Sequence, residues 1–138
     1  MRVSQRLDYG LRALILLAQQ PEGDFIAAGD LADRLGMPRR FVEQQFTALA
    51  RAGIVDCRRG STGGCALARP AAEISVAEIA TALQGEVLDV PHQNGSASAE
   101  FWEQMAQDMA DLLGRTNLEE LAIRQRALES DMFPMYYI

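Results

Sequence analysis

The stretch from Met37 to Leu67, MPRRFVEQQFTALARAGIVDCRRGSTGGCAL, leaves the chain few ways to fold. Phe41, Val42, Phe46, Leu49 and Ala50 recur at helical spacing, so one side of a helix here is expected to be buried. Arg40, Glu43, Gln44, Thr47 and Arg51 recur at the same period on the opposite side. Pro38 suits the first helical position, where its missing N–H costs nothing, and Gly53 suits the left-handed residue just past the last turn. Two short extended runs follow, Ile54 to Arg59 and Gly64 to Ala68, around Gly60, Ser61, Thr62 and Gly63. A helix with one polar face, then a glycine-tipped hairpin, is the expectation.

The rest of the chain supplies a body for that unit. Ser4 is a fitting N-cap for a first helix to about Gln19, with Leu7, Leu11, Leu14, Ile15 and Ala18 as its buried stripe. Asp8 falls near the start of that helix, where the macrodipole favours a carboxylate. Phe25 and Ile26 predict a short strand. A small helix over Ala28 to Leu35, inward at Leu31, Ala32 and Leu35, is stopped by Gly36. Helix, three-residue turn, helix is the spacing of a helix-turn-helix, and the hairpin behind it takes the place of a wing.

Ser75 with Glu78 is a capping box for a helix through about Leu83, ended by Gly85. Residues 86–98, EVLDVPHQNGSAS, are rich in turn formers. A longer helix is expected from about Ala99, with an apolar face of Phe101, Met105, Met109 and Leu112 beside Trp102, Ala106 and Leu113. That face is wider than a small domain needs, so Phe101, Trp102, Met105, Met109, Leu112 and Leu113 are read as a dimer seam; burial against the first helix is the compatible alternative. Thr116 with Glu119 forms a second capping box, for a last helix to about Leu128. The apolar end MFPMYYI is expected to pack on the body or on a partner chain. The fold class is therefore mainly α with a small β-hairpin: a winged helix-turn-helix over 1–85, a loop at 86–98, and a dimerisation helix, last helix and apolar tail over 99–138.

At 138 residues and 49% hydrophobic, the chain can bury one real core. Its net charge of −6 argues at first against nucleic acid, but the charge is divided. Residues 1–70 hold ten arginines and seven acids; residues 71–138 hold three arginines and twelve acids, and there is no lysine. Only the basic half is suited to phosphates, so double-stranded DNA is the expected partner. Gln44 suits adenine, Arg40 guanine and Glu43 cytosine in a major groove. Thr47 lies among them, while Arg39, Arg51, Arg58 and Arg59, with Gly60 and Ser61 at the tip, are expected at phosphate or the minor groove. An enzyme is not expected: there is one histidine, no metal-ligand spacing and no nucleophile elbow, and GSTGG lacks the Lys-Ser/Thr of a phosphate loop. No apolar run approaches the roughly 20 residues of a membrane span, so a cytoplasmic protein with no membrane partner is expected.

Four segments carry a resemblance: MRVSQRLDYGLRAL, MPRRFVEQQFTALARAGIV, RGSTGGCALARP, and the run from Trp102 to TNLEEL. In order and spacing the chain resembles the IscR/NsrR/CymR-type winged-helix transcription regulators over nearly its whole length. The resemblance implies a homodimer joined through the helix starting near Trp102, base contacts from Glu43 and Gln44, and a wing that begins at Arg59 and Gly60. This chain departs from the family at Gly63, Gly64 and Cys65, where the family usually carries G-G-Y. It departs again in the loop where cluster-binding members hold three cysteines. Here that loop has none; His92 stands near the first and Ser96 near the last. Asp8 matches a carboxylate ligand of some relatives, but one carboxylate and one histidine do not make a cluster site, so neither a cluster nor any other cofactor or metal is expected.

The expected function is thus a sequence-specific DNA-binding transcription regulator, a homodimeric repressor on a palindromic operator. Its effector, a small molecule or a protein, is not named by the sequence, and is expected to act through the 86–98 loop or the helices beside it. A winged helix that docks protein instead of DNA is one alternative. A thiol-based redox-sensing regulator using Cys57 and Cys65 is another. Those two cysteines face each other if residues 60 to 62 form the loop, and point to opposite faces if the turn shifts by one.

Overall fold

The computed structural model describes residues 2–91 and 95–132. Six helices and one hairpin follow in order: α1 (Gln5–Ala18), α2 (Ala28–Leu35), α3 (Arg39–Arg51), β1 (Val55–Arg58), β2 (Gly64–Leu67), α4 (Val76–Leu83), α5 (Ala97–Arg115) and α6 (Leu118–Met132). A 3-10 turn at Ala71–Glu73 leads into α4. The fold is the mainly α, hairpin-bearing winged helix-turn-helix that the patterning implies, and α5 is the longest element among the described residues. His92 and the tail from Phe133 to Ile138 lie outside the described residues.

The helix starts follow local chemistry. Ser4 caps α1, its Oγ accepting the Leu7 N–H at 3.1 Å, and Ser75 caps α4 by accepting the Glu78 N–H at 3.2 Å. The side of α1 that turns inward is Leu7, Gly10, Ala13, Leu14 and Leu17. The expected stripe is therefore displaced: Leu11, Ile15 and Ala18 are half-buried flanks, not its centre. The reason is that Gly10 and Ala13 are small enough for neighbouring helices to come close. A methyl group at Gly10 would fall inside the Leu83 side chain of α4.

On α3 the buried side is Val42, Gln45, Phe46 and Leu49. Ala50, expected inside, is exposed, and Gln45 takes its place because 42, 45, 46 and 49 make one unbroken helical stripe. Pro38 is the N-cap of α3, extended at φ −61° and ψ 134°, and the helix begins one residue later than expected. At the other end the Gly53 N–H reaches the Ala50 carbonyl at 3.1 Å and the Ile54 N–H reaches Leu49 at 3.0 Å, a Schellman closure that delivers the chain straight into β1.

β1 and β2 pair antiparallel with Cys57 opposite Cys65 and Arg58 opposite Gly64. The expected Phe25–Ile26 strand is reduced to a single bridge, in which Ile26 and Cys65 exchange both backbone hydrogen bonds at 3.0 and 2.8 Å. It can be no longer, because α2 begins at Ala28. The bridge runs along the free side of β2 and holds the hairpin to the body.

The second half is closed by another bridge, Ser75 with Asn117. Val76 donates to the Thr116 carbonyl at 2.9 Å and Leu118 donates to Ile74 at 3.0 Å. Because α6 begins at Leu118 and its N-cap position is Asn117, Thr116 falls one residue too early to cap it. Its hydroxyl donates instead to the Leu112 carbonyl at 2.8 Å, and Asn117 accepts the Glu120 N–H at 2.9 Å. α5 starts at Ala97 and α6 runs to Met132, both longer than the turn formers suggest. α6 lies along α1, where Arg126 donates to the Gln19 carbonyl at 3.0 Å. α1 has no basic residue in its own last turn, so α6 brings a cation to its negative end. α5 packs on α4, and the long contact with α1 belongs to α6. Leu14, Leu31, Leu49, Ile54, Ile74, Ile79 and Leu118 form the fully buried centre.

Gly64 shows how tightly the hairpin is held. It sits at φ +130°, and a methyl group there would fall on the Ile26 carbonyl. Gly64→Ala is expected to cost about 2–3 kcal/mol through backbone strain and loss of that bridge. Urea unfolding checks this: the midpoint should fall at unchanged slope, and an unchanged midpoint would contradict the packing.

Candidate nucleic-acid interface

The helix-turn-helix exposes one face of α3. Arg40, Glu43, Gln44, Thr47 and Arg51 are all exposed, as their spacing requires once Val42, Phe46 and Leu49 are buried. Three of these, Arg40, Gln44 and Arg51, have no side-chain hydrogen bond or ion pair within the described chain, and their donors point to solvent. The other two are already engaged. The Arg39 Nε donates to Glu43 Oε1 at 3.0 Å across one helical turn, and Thr47 donates its hydroxyl to the Glu43 carbonyl at 2.9 Å. Arg39 and Glu43 are both more than half exposed, so the pair adds little stability but partly neutralises the one acid on a basic face.

Beside α3 stands the hairpin. Its turn is closed by the Gly63 N–H to the Gly60 carbonyl at 3.0 Å, and Arg58, Arg59, Gly60 and Ser61 are exposed around it. Arg59 has no partner among the described residues. Arg58 lies over the ring of Phe25, its guanidinium carbon 4.3 Å from the ring centre. Arg69, two residues past the end of β2, is bound to Glu78 and to the Glu73 carbonyl and is taken up by the fold.

Of the two registers open in the sequence, the chain takes the one that brings Cys57 and Cys65 face to face, and a disulfide joins them with 4.1 Å between the Cα atoms. Cys57 is exposed and Cys65 is buried. Away from this face, Phe101, Trp102 and Leu112 of α5 point outward at 61%, 38% and 51% exposure. Met105, Met109 and Leu113 are half-buried, and Met109 and Leu113 line a recess with Ala77, Ala80 and Thr81 of α4. Ile123, Leu128 and Met132 of α6 are exposed as well.

Sequence reasoning missed Phe25 as the seat of Arg58, Gln45 as a core residue and Asn117 as a cap. The last had a signal, since Asn117 and Glu120 make an N-x-x-E pair competing with Thr116 and Glu119. Phe25 had none, because it meets Arg58 only through the tertiary bridge at Ile26.

Residues 3–124 match the model of the Rrf2 family, described as iron-dependent transcriptional regulators. An HTH-type transcriptional regulator of Mycobacterium tuberculosis (strain ATCC 25618 / H37Rv) is 30% identical over 131 residues, which are 88% of this chain and 81% of that protein. Among solved structures, CymR, the global cysteine regulator of B. subtilis, superposes with a TM-score of 0.83 at 26% identity, over 90% of this chain and 98% of its own. T. potens IscR superposes at 0.77 and 28%, over 99% and 95%.

The residues present do not fit an iron centre. Both cysteines are consumed in one disulfide on the wing, the 86–98 loop has no thiol, and Asp8 is paired with Arg12 at 3.1 Å. Among the described residues no group of three or more His, Cys, Asp or Glu is placed to hold a metal ion. Nor is any described helix long and apolar enough to cross a membrane. With a winged helix-turn-helix, a solvent-facing polar α3 and these relatives, the chain belongs to the Rrf2 family of transcriptional regulators.

Proposed function

We propose that the chain is a repressor that binds a palindromic operator as a homodimer and does so without an iron–sulfur cluster. The observation that carries this is the joint exposure of Arg40, Gln44 and Arg51 on α3 and of Arg59 on the wing, all with unspent donors. α3 enters the major groove, where Gln44 pairs with adenine and Arg40 with guanine. Glu43, held in place by Arg39, accepts from cytosine. Arg51 and Arg59, with the backbone at Gly60 and Ser61, meet phosphate or the minor groove.

Two α3 helices separated by about 34 Å reach successive major grooves, which requires a second copy of the chain. The outward residues Phe101, Trp102 and Leu112 of α5, with Met105, Met109 and Leu113 beneath them, form the seam. The functional division is then a DNA-reading part over 1–85, a connecting loop over 86–98 and a dimerising part over 99–138. An effector acting at the loop reaches α1 directly. The Gln84 amide donates to the Arg2 carbonyl at 2.7 Å, its Oε1 accepts the Ser4 N–H at 2.9 Å, and the Arg2 N–H reaches the Val87 carbonyl at 3.3 Å.

Selection of bound duplexes from a random pool tests the reading, and a palindromic consensus is expected. Gln44→Ala should relax preference at one base pair per half-site by about 1–3 kcal/mol. Arg59→Ala should weaken every duplex alike and lower the slope of log affinity against log salt by about one. Failure to recover any duplex, or unchanged preference and slope in both variants, contradicts DNA docking through α3 and the wing. Phe101→Asp with Leu112→Asp should convert the sedimenting species to a monomer with helicity retained; a species of unchanged mass contradicts the seam.

A further inference from the structure

The wing disulfide lies in an unusual place for a merely structural cross-link. Cys57 and Cys65 are the only cysteines in the chain, and they join the two strands on either side of the tip, with Arg58 at the end of β1 and Arg59 in the turn. The hairpin does not need them for its register. Cys65 already spends both of its backbone groups on Ile26, and a side chain at Gly64 would collide with the Ile26 backbone. Because those backbone groups face away from β1, Cys57 and Cys65 form a non-hydrogen-bonded antiparallel pair, the kind that brings opposed side chains closest. The thiols are therefore held together whether or not they are joined. The two sulfurs are also unequal, since Cys57 is exposed and Cys65 is only 6% exposed. The ring closed by the bond contains Arg58, Arg59, Gly60 and Ser61.

We propose that Cys57 and Cys65 are a reversible dithiol–disulfide switch that sets DNA affinity by fixing or freeing the wing. The inference rests on the DNA-binding reading above. A protein acting on chromosomal DNA works among reducing thiols, where a disulfide is transient and sensing more often than structural. Oxidation uses a peroxide. The exposed Cys57 is converted to a sulfenic acid with release of one water; the Cys65 sulfur then attacks the Cys57 sulfur, forming the S–S bond and releasing a second water. Two thiols and one peroxide thus give one disulfide and two waters. Reduction uses a dithiol: its thiolate attacks Cys57, Cys65 leaves as a thiol, and the second sulfur of the reductant closes its own disulfide and releases Cys57. Two electrons and two protons pass to the protein. In the bridged state Arg58 and Arg59 are carried on a closed ring pinned to Phe25 and Ile26. Opening the ring leaves the base of the hairpin held at Ile26 but restores motion at the tip beyond Cys57 and Cys65, which DNA must then freeze, and affinity falls.

The test uses the full chain cycled between dithiothreitol and hydrogen peroxide. Maleimide labelling with intact-mass measurement reports the thiols, and fluorescence anisotropy with a duplex recovered by selection on the bridged protein reports binding. Maleimide additions, made as the protein is denatured so that the buried Cys65 is reached, should alternate between two and none. Affinity should fall about tenfold on reduction and return on oxidation, the scale of ordering two long side chains. Cys57→Ser, at the exposed position, should keep its melting temperature close to that of the reduced protein and bind with the reduced protein's affinity under either treatment. A bond that neither opens nor re-forms overturns the switch. So does a Cys57→Ser variant with the bridged protein's affinity. Reversible thiols with equal binding in both states overturn the switch while leaving DNA docking intact. If neither state recovers any duplex, the DNA reading and the switch fall together.

Discussion

The packing of α1 is the constraint from which the remaining geometry follows. This helix lies against α2, α3, α4, α6 and β2, so its surface decides how they are disposed. Gly10 and Ala13 let neighbours approach closely, while Leu14, with no exposure at all, fills the centre they leave. With α1 in place, α3 has one way to bury Val42, Phe46 and Leu49, and its polar face is then turned to solvent. The proposed reading surface is in this sense a by-product of the core: the exposed polar face of α3 is placed by four side chains that are hidden. Core volume along α1 therefore bears on where α3 sits as well as on stability.

The wing depends on the body through a smaller contact. Two backbone hydrogen bonds at Ile26 and one guanidinium on Phe25 join the hairpin to the segment before α2. A two-stranded hairpin is marginal by itself, so this added edge contact, with the Schellman turn that feeds β1, gives the wing a defined position. The helix and the wing are thereby held relative to each other, as the proposed docking on one duplex requires.

Much of this is legible in the residues, and the gaps have physical causes. The caps at Ser4 and Ser75, the stop at Gly36, the closure at Gly53 and the polar stripe of α3 are all local, and local chemistry is enough to find them. The same is true of the exposed face at Phe101, Trp102 and Leu112, whose apolar period is plain. What a linear reading misses is tertiary. The stripe of α1 is displaced because small residues pack as well as large ones, and hydrophobicity alone ranks Leu11 and Ile15 above Gly10 and Ala13. Ala50 and Gln45 exchange roles because a helix buries positions and not residue types. Thr116 loses the cap to Asn117 because the bridge between Asn117 and Ser75 sets the start of α6 at Leu118, one residue later than the Thr116 box would. Arg58 reads as free in the sequence, and the ring beneath it, Phe25, lies in a different part of the chain.

That bridge between Ser75 and Asn117 has one more implication. It fastens the beginning of α4 to the beginning of α6, so everything between them is an excursion whose two feet stand side by side. α5 therefore behaves as a strut braced at its base and not as a free arm. α4 and α6 both pack on α1, so the brace at the foot of α5 is shared with the central helix.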